Sequence, residues 1–267
     1  MESAFQVEKG RSKGAGGMNQ LYVSATFTDR IERQVQKIAG GGLKILKPDN
    51  YLKQDVREGV NQKRVMVKRP EDRAQKLAEL FPVLANSGGS CLVFLTTRKG
   101  ANMVGEHLSQ AKKLTEMGLT VDVLSGEKTP EERDTAFAKF NAGETKIMMA
   151  TDVLCRGINI PSINFVVHYD LPVFGNPNNP EPDVTTYIHR CGRCARFTNK
   201  GVSLAFEVES HPVTTAVLDK MERHFQAENA EEQVAGRPAV DIAAIGGAFI
   251  TPVTADDLEK DLDGAWD

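Results

Sequence analysis

Cysteine is scarce in this chain, with four residues in 267, at Cys91, Cys155, Cys191 and Cys194. So few thiols cannot staple a small secreted scaffold, and they read as reduced side chains of a reducing compartment. Cys191 and Cys194 form a lone CxxC, but a structural zinc site needs a second ligand pair at comparable spacing and none follows, so no metal ligand is expected. Long apolar runs are missing as well. No stretch of about 18 apolar residues exists to span a bilayer, and the polar start from Met1 to Gly17 lacks the apolar core of a secretory signal. The expected place of work is therefore the cytosol or nucleus, with no membrane partner. A strong excess of either charge is absent too. The formal net charge is −3 and the pI about 6.0, which excludes a polycation that coats nucleic acid indiscriminately and makes any phosphate binding local. No GxGxxG follows the first strand, which disfavours a Rossmann-type dinucleotide enzyme. No GxxxxGK[ST] occurs either, so nothing in the chain cradles a β- and γ-phosphate.

What is present is the balance of an ordinary soluble protein, 40% hydrophobic and 26% charged, in a chain long enough for one compact domain with appendages. Acidic residues concentrate after Gln226 (Glu228, Glu231, Glu232, Asp256, Asp257, Glu259, Asp261, Asp263 and Asp267), which leaves the middle of the chain closer to neutral. The opening is rich in Gly, Ser and Lys until Leu21-Tyr22-Val23, where a strand is predicted to end in Ser24-Ala25-Thr26. Thr28 then caps a helix from Asp29 to about Ala39, closed by Gly40-Gly41-Gly42.

From Arg64 onward, short apolar runs alternate with helix-length amphipathic segments. The predicted strands are Arg64–Lys68, Cys91–Thr96, Val121–Ser125, Lys146–Thr151, Phe165–Tyr169 and Val202–Val208, and the predicted helices are Glu71–Ala85, Lys99–Thr115, Pro130–Phe140, Asp183–Phe197 and His211–Phe225. Alternation of this kind, with nearly continuous apolar strands, argues for a parallel α/β sheet covered by helices on both faces. In such sheets ligands sit beyond the carboxyl ends of the strands.

The residues placed there carry unusual chemistry. After the second of these strands come Thr96-Thr97-Arg98-Lys99, hydroxyls and cations at a helix start, which suit a backbone phosphate and equally suit a solvated helix cap. After the third, Thr129, Pro130 and Glu132 compose a capping box, with Arg133 projecting from the same edge. The fourth delivers Thr151-Asp152-Val153-Leu154-Cys155-Arg156-Gly157-Ile158-Asn159, and a packing turn requires none of those charges. The sharpest local signal is His189-Arg190-Cys191-Gly192-Arg193-Cys194-Ala195-Arg196. On a helix, arginines three residues apart step round by about 60°, so Arg190, Arg193 and Arg196 are expected on one broad face, where an anion such as a polyphosphate would relieve their repulsion.

Ser24-Ala25-Thr26, the Leu92 to Arg98 strand and turn, Thr151-Asp152 with Arg156-Gly157, and His189-Arg190-x-Gly-Arg193-x-x-Arg196 resemble, in order and spacing, motifs three to six of the DEAD-box RNA helicases, a family within helicase superfamily 2. Asp170-Leu171-Pro172-Val173-Phe174-Gly175-Asn176-Pro177 is similar to an insert of the subgroup that serves mRNA export at the nuclear pore. The resemblance implies a RecA-like fold and ATP with Mg2+ as cofactor, held mainly by a first lobe absent here. It further implies that Arg193 and Arg196 act as arginine fingers on ATP, with Gly157 and Asn159 also contacting the nucleotide. His189 and Arg190, with Ser24 and Thr26, would couple the lobes, and Thr97, Arg98, Gly126, Arg133, Thr151 and Arg156 would hold the RNA backbone without regard to sequence. The implied partners are RNA, the first RecA-like lobe and an activator or nuclear-pore protein. Departures are Asn159 where the family has Asp, which weakens the expected ribose contact, Glu132 in place of Gln, and Cys194-Ala195 in place of Thr-Gly.

The expected division is residues 1–58 as the end of a first RecA-like domain plus linker, 59–226 as the helicase C-terminal domain, and 227–267 as an acidic, partly ordered tail. Such a chain reads as the carboxyl half of a longer ATP-dependent RNA helicase, unable to hydrolyse ATP alone because it has neither the P-loop nor an Asp-Glu-Ala-Asp. The competing reading is a non-catalytic module that grips RNA or a protein.

Overall fold

A computed structural model describes residues 29–39, 60–86, 89–124, 126, 128–152, 163–194 and 201–234. The expected strand at Leu21, its residues Ser24 and Thr26, the cap Thr28, Cys155, Arg156, Gly157, Asn159, Arg196 and the tail from residue 235 lie outside these. The chain divides into two compact units, Met1–Asp55 and Val56–Asp267. In the first, α1 spans Asp29–Ala39, the expected bounds, and buries Val35 while leaving Ile38 exposed.

The second unit holds β1 (Val60–Val67), α2 (Asp72–Asn86), β2 (Cys91–Phe94), α3 (Arg98–Ser109), α4 (Lys112–Glu116), β3 (Val121–Leu124), α5 (Pro130–Asn141), β4 (Ile147–Ala150), β5 (Phe165–His168), β6 (Val173–Asn176), β7 (Asn179–Pro182), α6 (Val184–Cys191), β8 (Gly201–Val208) and α7 (Pro212–Val234). Six strands form one sheet in the order β1-β8-β5-β2-β4-β3, and every pairing in it is parallel. Alternation along each strand sends its side chains to two separate cores. Cys91, Val93, Ile147 and Met149 meet α2, α3 and α4 through Leu80, Leu108 and Leu114. Leu92, Phe94, Met148 and Ala150 meet α5, α6 and α7 through Phe140, Tyr187 and Leu218. This is the parallel sheet with both faces covered that the apolar runs implied. No described helix is long and apolar enough to cross a membrane.

The elements differ locally from the sequence reading in four places. β1 begins four residues earlier than expected, and two of its polar residues, Gln62 and Arg64, find partners in the fold. Tyr187 donates to Gln62 (2.9 Å), and Arg64 donates to Asp219 and Glu222 of α7 (2.9 Å each), with Glu207 of β8 3.6 Å away. The expected helix Lys99–Thr115 is two helices, α3 and α4. Leu108 and Leu114 are both buried, and six residues turn a continuous helix through about 240°, so extended backbone at Ala111 (ψ 114°) re-aims Leu114 into the core. α7 continues nine residues past the expected Phe225, to Val234. The fourth difference is an antiparallel hairpin, β6–β7, in the Gly-Asn-Pro insert. Gly175 adopts a positive φ of 91°, and the main-chain N–H of Asn178 donates to Asn176 Oδ1 (2.9 Å). Two prolines in β7 argue against a strand, yet a two-stranded ribbon leaves free edges that tolerate them.

The capping box at α5 forms as read. Thr129 Oγ1 accepts from Glu132 N (3.2 Å) and Glu132 Oε2 accepts from Thr129 N (2.7 Å), with Pro130 in the first turn. Thr129→Ala should therefore destabilise the domain by about 1 kcal/mol, read from the midpoint of urea unfolding at constant m; an unchanged midpoint would mean that the cap contributes nothing.

Candidate functional site

The sheet register aligns Phe94 with Ala150 and His168, and Leu124 with Ala150. Residues just beyond this row therefore gather along one edge: Thr96 after β2, Gly126 after β3, Asp152 after β4 and Asp170 after β5. The sequence reading expected ligand chemistry at this edge.

On one side stand the candidate RNA contacts. Thr97 is the N-cap of α3, its Oγ1 accepting from Gly100 N at 3.0 Å, so the cap role is realised. The hydroxyl still carries its own hydrogen, and the residue is exposed, so capping leaves it able to donate to an anion. Arg98, also exposed, lies against Gly126: a Cβ at Gly126 would come within 3.3 Å of Arg98 Cδ and Nη1. The missing side chain lets the loops after β2 and β3 close on each other. Arg133 is half-buried in the first turn of α5, and its buried Nε has no hydrogen-bond acceptor among the described residues. Thr151 differs from these three in being only 6% exposed.

On the other side stands the arginine segment, and here the structure corrects the sequence reading. α6 ends at Cys191 rather than at Phe197. The Arg193 and Cys194 N–H groups donate to the carbonyls of Arg190 and Cys191 (3.0 Å each), and Cys194 bridges in parallel to Ile163. Arg190 and Arg193 consequently do not share a helical face. Arg190 is 2% exposed and points into its own domain. Its Nε and Nη2 donate to the two carboxylate oxygens of Asp152 (2.7 and 2.8 Å), and its Nη1 donates to the Asp170 carbonyl (2.7 Å). The guanidinium also lies 5.0 Å over the Phe94 ring. These contacts commit the Arg190 guanidinium to partners within its own domain. His189 and Arg193 are half-buried, the first in the last turn of α6 and the second in the turn after it.

Beneath Arg190 lies a buried polar cluster. His168 Nε2 is 3.0 Å from Ser203 Oγ, the Cys191 thiol is 3.3 Å from the same hydroxyl, and the imidazole stacks on Tyr187 with ring centres 4.3 Å apart. Burial, aided by the neighbouring Arg190 charge, holds the imidazole well below its usual pKa, so His168 is neutral. Burial also pushes the Cys191 thiol up to about 12, which makes it inert. Cys194 donates its thiol to the Cys191 carbonyl (3.0 Å), so the CxxC is a packed pair of thiols. No group of three His, Cys, Asp or Glu among the described residues is arranged to hold a metal ion.

The sequence reading missed Asp170 and Arg73 as members of this edge. Asp170 accepts from Thr96 N (2.9 Å) and Arg73 Nη1 (3.0 Å), and Arg73 also donates to the Tyr169 carbonyl (2.7 Å). The available signal was Asp-Leu-Pro directly after an apolar strand; nothing local marks Arg73.

Residues 72–198 match the helicase conserved C-terminal domain family. The chain belongs to the DEAD-box RNA helicases and holds their C-terminal RecA-like domain. It is 32% identical over 207 residues to ATP-dependent RNA helicase dbp5 of Aspergillus fumigatus, covering 77% of this chain and 40% of that protein. The structure of S. cerevisiae Dbp5 bound to RNA and ADP BeF3 is similar over 91% of this chain and 54% of its own, with a TM-score of 0.68 and 28% identity. A C-terminal domain of S. cerevisiae Dbp5, a variant bound to Gle1 and IP6, is matched over 98% of its length and 77% of this chain, with a TM-score of 0.55 and 29% identity. The chain thus spans about 40% of the length of the curated relative.

Two outcomes follow from this geometry. Asp152→Ala strands a buried guanidinium and should cost about 3 kcal/mol in urea unfolding, while Arg190→Lys, which cannot form the two-pronged pair, should recover little of the lost stability when Arg190→Ala is the reference. Because His168 has a depressed pKa in the fold, the unfolded chain binds the extra proton as pH falls below the ordinary imidazole value near 6.5. Stability should then drop by up to about 1.4 kcal/mol per pH unit until the folded-state pKa is reached, and His168→Gln should remove that component of the slope.

Proposed function

We propose that this chain is the C-terminal lobe of an ATP-dependent DEAD-box RNA helicase, inactive alone, which supplies arginine side chains to ATP and binds the RNA backbone. The observation that carries this reading is the anchoring of Arg190 by Asp152 and the Asp170 carbonyl, which fixes where α6 ends and so where the turn carrying Arg193 begins. A charge that acts on a transition state must be positioned before the reaction, and a buried two-pronged ion pair is a rigid anchor for that purpose. The donor set fits a triphosphate, since arginine presents a fixed fork of donors to phosphate oxygens. When bound, ATP with Mg2+ supplies the phosphoryl group; Arg193 and Arg196 place positive charge where negative charge develops, Gly157 and Asn159 meet the nucleotide, and His189 couples this lobe to the first, to whose end Ser24 and Thr26 belong. The role of Arg190 in that coupling is to hold the turn.

RNA would lie along Thr97, Arg98, Gly126, Arg133 and Arg156, with Thr151 supporting the edge from within. Such contacts read phosphates and not bases, so binding is independent of sequence and falls with salt. The matched relatives and the Gly-Asn-Pro insert support a role in mRNA export, with an activator or pore protein as partner and the nuclear pore as the place of action.

Mixing the chain with a separately produced first lobe should restore RNA-stimulated ATP hydrolysis. Arg193→Ala should lower that activity on the order of 10³-fold while leaving single-stranded RNA affinity intact. RNA binding that persists with no complementation would overturn the proposal in favour of a non-catalytic binding module.

A further inference from the structure

β5 runs through the middle of the sheet, between β8 and β2, and Asp170 lies just past its end. Three hydrogen bonds from three different elements converge on this residue. Its Oδ2 accepts from the main-chain N–H of Thr96, which opens the turn bearing Thr97 and Arg98 (2.9 Å). Its Oδ1 accepts from Arg73 on α2 (3.0 Å). Its main-chain carbonyl accepts from Arg190 (2.7 Å). The side chain thus holds the turn on the RNA side, and the main chain of the same residue holds the base of the arginine turn. An aspartate side chain has two torsions, and both of its oxygens are engaged, so the link is short and stiff.

We infer that Asp170 is a positioning residue that couples the Thr96–Arg98 turn to the Arg190–Arg193 segment, so that seating RNA on the first sets the placement of the second. The inference rests on the proposed function, which supplies the two ligands. Asp170 touches neither. It acts through Thr96 and Arg190, and the third arm, to Arg73, offers an internal control. Arg73 also grips the same place through the Tyr169 carbonyl (2.7 Å) and lies 4.4 Å over the Tyr169 ring, but it leads back to α2, which bears none of the proposed ATP or RNA contacts. A residue that only stabilises the edge would work through either arm; a coupling residue works through the Thr96 arm.

The readout is the ratio of ATP turnover at saturating RNA to turnover without RNA, measured on the chain combined with its first lobe. Asp170→Ala removes the acceptor of Thr96 and should lower this ratio about ten-fold. Asp170→Asn keeps an oxygen for Thr96 and should hold the ratio within about two-fold of the unmodified chain, as should Arg73→Ala, which breaks only the arm to α2. An unchanged ratio in Asp170→Ala would overturn the inference, and so would an equal fall in Arg73→Ala, which would mark a general loosening of the edge. If the unmodified pair shows no RNA-stimulated turnover, the helicase reading itself fails and the coupling falls with it.

Discussion

The ion pair between Arg190 and Asp152 is the constraint on which the arrangement of this domain's working edge depends. It joins the last turn of α6 to the segment just after β4, and the same guanidinium reaches the Asp170 carbonyl just after β5. Taking a guanidinium out of water is costly, so the pair persists because each donor prong meets an oxygen at hydrogen-bond distance and the ring of Phe94 lies below. Its consequence is positional. Two central strands and the arginine segment share one charged junction, and the turn carrying Arg193 starts from a fixed point.

Around that junction the fold separates structural chemistry from exposed chemistry. His168, Ser203, Cys191 and Tyr187 lie under Arg190 in complete burial, where the imidazole stays neutral and the thiol stays protonated. Ser203 Oγ meets both the imidazole Nε2 and the Cys191 thiol, and burial leaves these groups no reactive function. Thr97 and Arg98, by contrast, are exposed at the edge, and Arg133 is half-buried there, its buried Nε without an acceptor among the described residues. The two sets differ in solvent and in partner more than in residue type, and that difference divides scaffold from site.

Much of the fold was legible in the sequence because it depends on short-range patterns. Four-residue apolar cores such as Cys91–Phe94 announce doubly covered parallel strands, and Thr129, Pro130 and Glu132 announce a helix start; each is recovered in place. The site was legible in part. Thr96 to Arg98, Thr151-Asp152 and the arginine segment stood out because packing turns do not require their charges. The hairpin β6–β7 was not legible as a hairpin, since two prolines oppose strand assignment and only a free-edged ribbon admits them. The split of α3 from α4 was hidden as well, because the choice between a continuous helix and a break lies in where Leu114 must be buried.

By itself the sequence determined the class of the domain: periodicity and motif order depend on neighbours along the chain, and they specify a doubly covered parallel sheet with cations after its strands. Only the tertiary structure decided what each cation does. Arg190 and Arg193 are alike in the sequence, three residues apart, yet Asp152 lies thirty-eight residues from Arg190 and is brought to it by the sheet order. Asp170 likewise gains its three partners from segments 20, 74 and 97 residues distant. A charged side chain's role follows from the partner it meets, and at such separations the partner is chosen by strand order and register, which no local pattern encodes.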